Sequence, residues 1–245
     1  MSVAPMKLPA LSAIYARYET LSRLAQNCFS GSLAGRLLLR SGLDEAGLAD
    51  LVAAGIAGAC SLCLEPDASS LREALRAGLC DFVVGPLDEA LRILKNELRR
   101  GRPVSVGVTA VPESTLAEMI DRGLQPDLVS LPTGEPLRSF LNRGAVLFSP
   151  NEPPETDTDL IEWGITTGAA HSIPQIARIA ALSLNATRPD TPLRQRWLEN
   201  APRHLGRAFA THQCVRMTPA ESAAFAVAAR AQFPTARIAR GGTEL

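Results

Sequence analysis

The apolar positions of the first 150 residues switch repeatedly between continuous runs and helical spacing. "GRLLLRSG" (35–42) is a short apolar run that reads as a strand. "DEAGLADLVAAG" (44–55) follows, with Leu48, Leu51 and Val52 at helical spacing and Asp44 placed as N-cap. "GACSLCLE" (58–65) is a near-continuous run of the kind a strand covered on both faces needs. "SSLREALRAG" (69–78) opens on serine and closes on glycine, which predicts a helix. A short strand over 81–85 precedes a helix over 86–101, where Leu87, Ala90, Leu91, Leu94 and Leu98 share one face. A strand over 103–108, a helix over 112–123, and strands over 126–131 and 144–150 complete the series.

Strands alternating with helices of this length form βαβ units with right-handed crossovers. The expected fold is α/β: a Rossmann-like, doubly wound parallel sheet of about six strands over residues 1–154. "SPNEPPETDTD" is Pro-rich and acidic and reads as a linker or long loop. Beyond it, residues 155–245 read as a mostly helical region packing on the first domain. Helices are predicted over 172–186, over one or two segments of "TPLRQRWLENAPRHLGRAFA" broken at Pro202, and over 218–233. The last opens with a Thr218–Glu221 capping box.

Composition narrows the function. Twenty-five basic residues balance 25 acidic ones, so no net field draws the chain to nucleic acid or an anionic membrane. Aromatic residues make up 4%, too few for base-stacking platforms. No apolar run approaches the roughly 18 residues of a membrane span. The first residues lack the order of a signal peptide, so a cytoplasmic protein is expected. Five scattered cysteines fit reduced thiols. Cys60 and Cys63 form a CxxC, but on a strand positions three apart face opposite ways, so buried thiols are preferred to a metal or redox pair.

Doubly wound sheets bind ligands beyond the carboxyl ends of their strands. The strand-end positions are Ser41, Gly42, Glu65, Gly85, Thr109, Ser130 and Thr133. The first strand-to-helix loop offers only Gly42 and Gly47, five apart, so the GxGxxG spacing is absent. Asp44 would occupy the first-turn amides that a phosphate needs, and Glu45 adds a second negative charge. A phosphate about 4 Å from a carboxylate is opposed by ~1 kcal/mol in water and ~4 kcal/mol near a protein surface. Glu65, 23 residues after Gly42, stands where a dinucleotide fold places its ribose acid, although an acid at a strand end can equally cap the next helix.

In the second half, "GITTGAAHS" (164–172) gathers small, hydroxyl and imidazole groups before a helix. Ser172 and the amides behind it could receive an anion, and His171 could act as acid or base; an N-cap beside a surface histidine is the plainer reading. His212 and Cys214 lie two apart, on one face if the segment is a strand, but no third ligand accompanies them and no metal is expected. The basic residues around Trp197 read as a solvated helix face.

Residues 18–154 resemble the Rossmann-like core of the urocanase (urocanate hydratase) family. The likeness is carried by "YETLSRLAQNCFSGSLAGRLLLRSGL", "AGACSLCLEPDASSLREALRAGLCD", "LDEALRILKNELRRGRPVSVGV", "MIDRGLQPDLVSLPT" and "LNRGAVLFSPNEPP". The resemblance implies a scaffold built to hold NAD as an electrophile that adds to the urocanate imidazole. The candidate cofactor-binding residues are Gly42, Gly47, Glu65, Thr109 and Thr133: the resemblance implies Gly47, Glu65 and Thr133, and Gly42 and Thr109 rest on their strand-end positions. The family's glycine-rich loop falls on "DEAGLADL", where Gly47 and Ala49 alone match. The arginine after the ribose acid falls on Ser70, an Asn-Ala pair falls on Val111 and Pro112, and Thr133 alone matches within "PTGEP". The family's active cysteine has no counterpart, and no catalytic residue is assigned.

The expectation is a urocanase-like protein without urocanate hydratase activity, serving as a small-ligand-binding or regulatory scaffold with no cofactor. One alternative is an NAD-binding enzyme with rearranged contacts through Glu65, Thr109 and Thr133. Another is a structural or assembly partner. A small-molecule ligand is the expected partner, and a homodimer is kept open.

Overall fold

The computed structural model describes residues 7–149, 157–165, 172–241 and 243–244. It divides into two compact units, Met1–Glu152 and Pro153–Leu245.

The first unit begins with α1 (Leu11–Cys28), a helix with no side-chain cap. Leu11, Ile14, Tyr15, Tyr18, Leu21 and Ala25 form its buried stripe. Then follow β1 (Leu37–Ser41), α2 (Glu45–Ala57), β2 (Cys60–Glu65), α3 (Ala68–Ala77), β3 (Phe82–Val84), α4 (Leu87–Arg100), β4 (Ser105–Thr109), α5 (Pro112–Asp121), β5 (Leu128–Ser130), α6 (Glu135–Asn142) and β6 (Val146–Leu147). The six strands form one sheet in the order β3-β4-β2-β1-β5-β6. Every described pairing in it is parallel. The Rossmann-like α/β fold expected from the periodicity is therefore present.

Burial explains the arrangement. β1 opens with three buried leucines, Leu37, Leu38 and Leu39, and lies between β2 and β5 at the centre. α2 packs against α1 and is buried from Gly47 through Ala57, which is why its sequence has almost no polar face. On α4, Leu87, Ala90 and Leu94 join a core with Leu39, Leu62, Val106 and Val129.

The second unit contains β7 (Asp159–Ile165), α7 (Ser172–Ser183), α8 (Thr191–His204), a 3-10 turn (Arg207–Phe209), β8 (His212–Met217), α9 (Pro219–Gln232), β9 (Ala236–Arg240) and β10 (Thr243–Glu244). The three expected helices are there, and with them a four-stranded sheet, β10-β9-β7-β8, that the sequence reading did not anticipate. Its pairings are antiparallel. Ile161 and Trp163 of β7, Val215 of β8 and Ile238 of β9 are buried, and the Trp163 ring lies 5.1 Å from Phe225 of α9.

α8 does not break at Pro202 as expected; it runs on to His204. The proline has no N–H for the Leu198 carbonyl four residues back. That carbonyl instead accepts from Gln213 Nε2 of β8 at 3.4 Å. The outer edge of β8 is tied to the same helix, where Trp197 Nε1 donates to the Cys214 carbonyl at 2.5 Å. Arg194 is 1% exposed and pairs with Glu221 at 2.8 Å, and Glu221 also closes the Thr218 capping box. Among the described residues no helix is long and apolar enough to cross a membrane.

Candidate functional site

The chain leaves β1 toward β2 on one side and returns to the other side at β5, so the topological switch point lies between β1 and β5. Ligands of such sheets bind beyond the strand ends at this point. Arg40 and Ser130 face each other there in register.

Arg40 is held there by its own bonds. Nη1 donates to Ser130 Oγ at 3.0 Å, Nη2 reaches Asp44 Oδ1 at 3.0 Å, and Nε donates to the Gly42 carbonyl at 3.3 Å. Ser130 Oγ donates to Asp50 Oδ2 at 3.0 Å, and Arg17 Nε donates to Asp50 Oδ1 at 2.7 Å. Asp50 is buried between the two arginines. Burial raises its pKa against the lowering pull of Arg40 and Arg17. The network joins α1, β1, α2 and β5 through charge-assisted bonds.

The helix end that would receive a phosphate is already capped. Asp44 Oδ1 accepts the Gly47 amide at 2.7 Å. Gly42 has the left-handed φ of +85° that turns the loop out of β1. A Cβ on Gly47 would overlap the Gly42 carbonyl oxygen and stand 3.1 Å from Arg40 Nε and 3.2 Å from Asp44 Oδ1. Gly47 thus permits close loop-to-helix packing. α3 repeats the pattern. Asp67 accepts the amides of Ser69 and Ser70 at 2.9 and 3.3 Å and their hydroxyls at 2.6–2.8 Å. The Ser69 hydroxyl, then that of Ser70, holds the Asp67 carboxyl well below its ordinary range.

Glu65 ends β2 beside Thr109 of β4, its register partner. Both Glu65 oxygens accept backbone amides: Leu43 at 2.7 Å and Asp67 at 2.8 Å. The carboxylate thereby ties the first loop to the second. Thr109 is half-buried, and Thr133 is exposed in the turn between β5 and α6. The structure therefore brings Gly42, Gly47 and Glu65 into one hydrogen-bonded loop assembly, with Thr109 at the adjacent strand end. In the second unit Ser172 is the half-buried first residue of α7, whereas His171 lies outside the described residues.

Sequence reasoning missed Arg40, Asp50 and Arg17. Signals mark the first two. Arg40 is a cation inside the strand run "LLLRS", and Asp50 is the one acid among the apolar residues 46–57. Cys60 and Cys63 are both buried on β2, and no cluster of metal-ligating side chains occurs among the described residues. Residues 14–143, just over half of the 245, match the family model described as the urocanase Rossmann-like domain.

Proposed function

We infer that this chain, which belongs to the urocanase family through its Rossmann-like domain, is a non-hydratase member that serves as a small-ligand-binding or regulatory scaffold. The observation that carries this reading is Asp44 Oδ1 on the Gly47 amide at 2.7 Å, backed by Arg40 at 3.0 Å. A carboxylate of the chain occupies the position in which the fold otherwise receives a phosphate. Self-capping by Asp67 and the use of both Glu65 oxygens by backbone amides support the same reading.

The test is calorimetric titration of the purified chain with NAD, together with a urocanate turnover assay after addition of NAD. Neither binding nor turnover is expected. NAD released from the protein on denaturation, or loss of urocanate absorbance, would overturn the reading.

An NAD-binding enzyme with rearranged contacts is the second reading. It is favoured by the register pairing of Glu65 with Thr109 and by the open space where a Cβ on Gly42 would point. NAD binding abolished by Glu65→Ala would select it. An assembly partner is the third, favoured by Leu182 and Val227, which are 87% and 74% exposed on helices that pack together. A homodimer seen by light scattering and disrupted by Val227→Lys would select that one.

A further inference from the structure

We propose that the second unit binds a small zwitterion, a free α-amino acid, on the outer face of its antiparallel sheet. Trp163 packs on Phe225 of α9, and side chains alternate along a strand, so Glu162 and Gly164 of β7 point to the opposite face. Gly164 is the register partner of His212 on β8 and of Arg237 on β9. The three positions form one row across that face, with the outer two roughly 10 Å apart at their backbones. Glu162 stands on the same face two residues along β7, about 7 Å from Gly164. Glu162, Gly164, His212 and Arg237 all border one cavity of about 520 Å³.

Gly164 makes the row a slot. A Cβ there would stand 2.8 Å from His212 Cδ2 and 3.0 Å from Nε2, so the imidazole lies in the space that a side chain would take. Nδ1 of the ring is 2.9 Å from Thr211 Oγ1. With the Thr211 hydroxyl donating to Nδ1, Nε2 carries the ring proton and is a donor above Gly164. Arg237 and Glu162 are exposed diagonal neighbours of opposite charge, yet neither makes an ion pair among the described residues. A guanidinium and a carboxylate held apart on one cavity match a ligand that carries the opposite charges at its two ends. Arg237, with His212 Nε2, takes the carboxylate, for which a guanidinium is the bidentate partner. Glu162 takes the ammonium. Glu162 repels a simple anion and Arg237 repels a simple cation, so neither half of the zwitterion fits as well alone. Ile165 and Ala239 add apolar wall beside these groups, which suits an aliphatic side chain.

The site lies wholly in the second unit, does not rest on the reading of the first-unit crevice, and is not tested by NAD titration. Ligand-observed NMR and calorimetry on the full chain compare L-leucine with 4-methylpentanoate, which lacks the ammonium, and 3-methylbutylamine, which lacks the carboxylate. L-leucine should bind about fivefold more tightly than either, the upper effect of one exposed ion pair. Arg237→Gln should bring L-leucine down to the level of the amine, and Glu162→Gln to the level of the acid, with near-UV circular dichroism confirming the fold of each. L-leucine bound no more tightly than either truncated analogue would overturn the proposal, as would binding of none of the three. L-leucine affinity unchanged in Arg237→Gln would overturn it too. Should a variant not fold, the wild-type comparison of the three compounds decides alone.

Discussion

Asp44 Oδ1 sits 2.7 Å from the Gly47 amide, so the helix end that a Rossmann-like fold offers to a ligand is bonded to its own chain. The arrangement has two separable parts. The cap stabilises α2, and the charge opposes any other anion there. Asp44→Ala removes both. It should cost about 1 kcal/mol of stability in urea denaturation. It should also let inorganic pyrophosphate raise the melting temperature, because Arg40 and the freed amide then face an unoccupied helix end. Asp44→Asn keeps the cap and should lose almost no stability. A pyrophosphate response in the wild-type protein equal to that of Asp44→Ala would refute the account.

Gly47→Ala tests whether this glycine serves packing. In an exposed helix interior such a change stabilises by about 1 kcal/mol. Here the new methyl meets the Gly42 carbonyl, which is backbone and cannot swing aside. The expected outcome is a loss of about 1–3 kcal/mol, as for an overpacked core. Gly107 is the control. A methyl there meets the end of the Leu71 side chain, which can rotate, so Gly107→Ala should cost less. Urea midpoints of the two variants decide the order.

The alternation of strands and helices from 35 to 150 was legible because burial on both sheet faces writes apolar runs that are hard to mistake. α1 was harder. Its stripe from Leu11 to Ala25 is periodic, but Ala10 precedes it and offers no capping oxygen. α6 is short, with Gly134 before it and Pro136 in its first turn, so its sequence reads as a loop. Asp44 as a cap was readable because an N-cap depends on three residues of local chain. The partners of Arg40 were not. Ser130 lies 90 residues away, and only the β1–β5 register brings the two together. The same holds for Gln213, whose meeting with Leu198 follows from how β8 packs against α8.

Thiol reactivity should follow burial. Cys28 is exposed, whereas Cys60, Cys63, Cys80 and Cys214 are buried. Burial pushes the thiols of Cys60 and Cys80 up to about 11, and raises that of Cys63 further. The thiolate is the reactive form, so these should react on the order of a hundredfold more slowly than an ordinary thiol near pH 8. Titration with an aromatic disulfide reagent should show one fast thiol in the native protein and five after denaturation. A second fast thiol would contradict the packing of β2, of β8 or of the segment between α3 and β3 that carries Cys80.

The Arg194–Glu221 pair predicts an acid-side dependence. Burial pushes the Glu221 carboxyl upward, but the Arg194 hydrogen bond and the amides of Asn185 and Thr218 outweigh it, leaving the pKa lowered. A carboxyl lowered in the folded state stabilises fully above its unfolded value of about 4.3, and that contribution disappears as pH falls through the folded value. Glu221→Gln leaves the buried Arg194 with Asp190, at 3.3 Å, as its remaining carboxylate partner among the described residues. The variant should be about 3 kcal/mol less stable than wild type at pH 7. The gap between the two proteins should begin to narrow below about pH 4.3 and close as pH falls through the lowered folded value of Glu221. A stability gap that stays constant from pH 7 to pH 3 would mean that the ionised carboxylate is not what holds Arg194 in place.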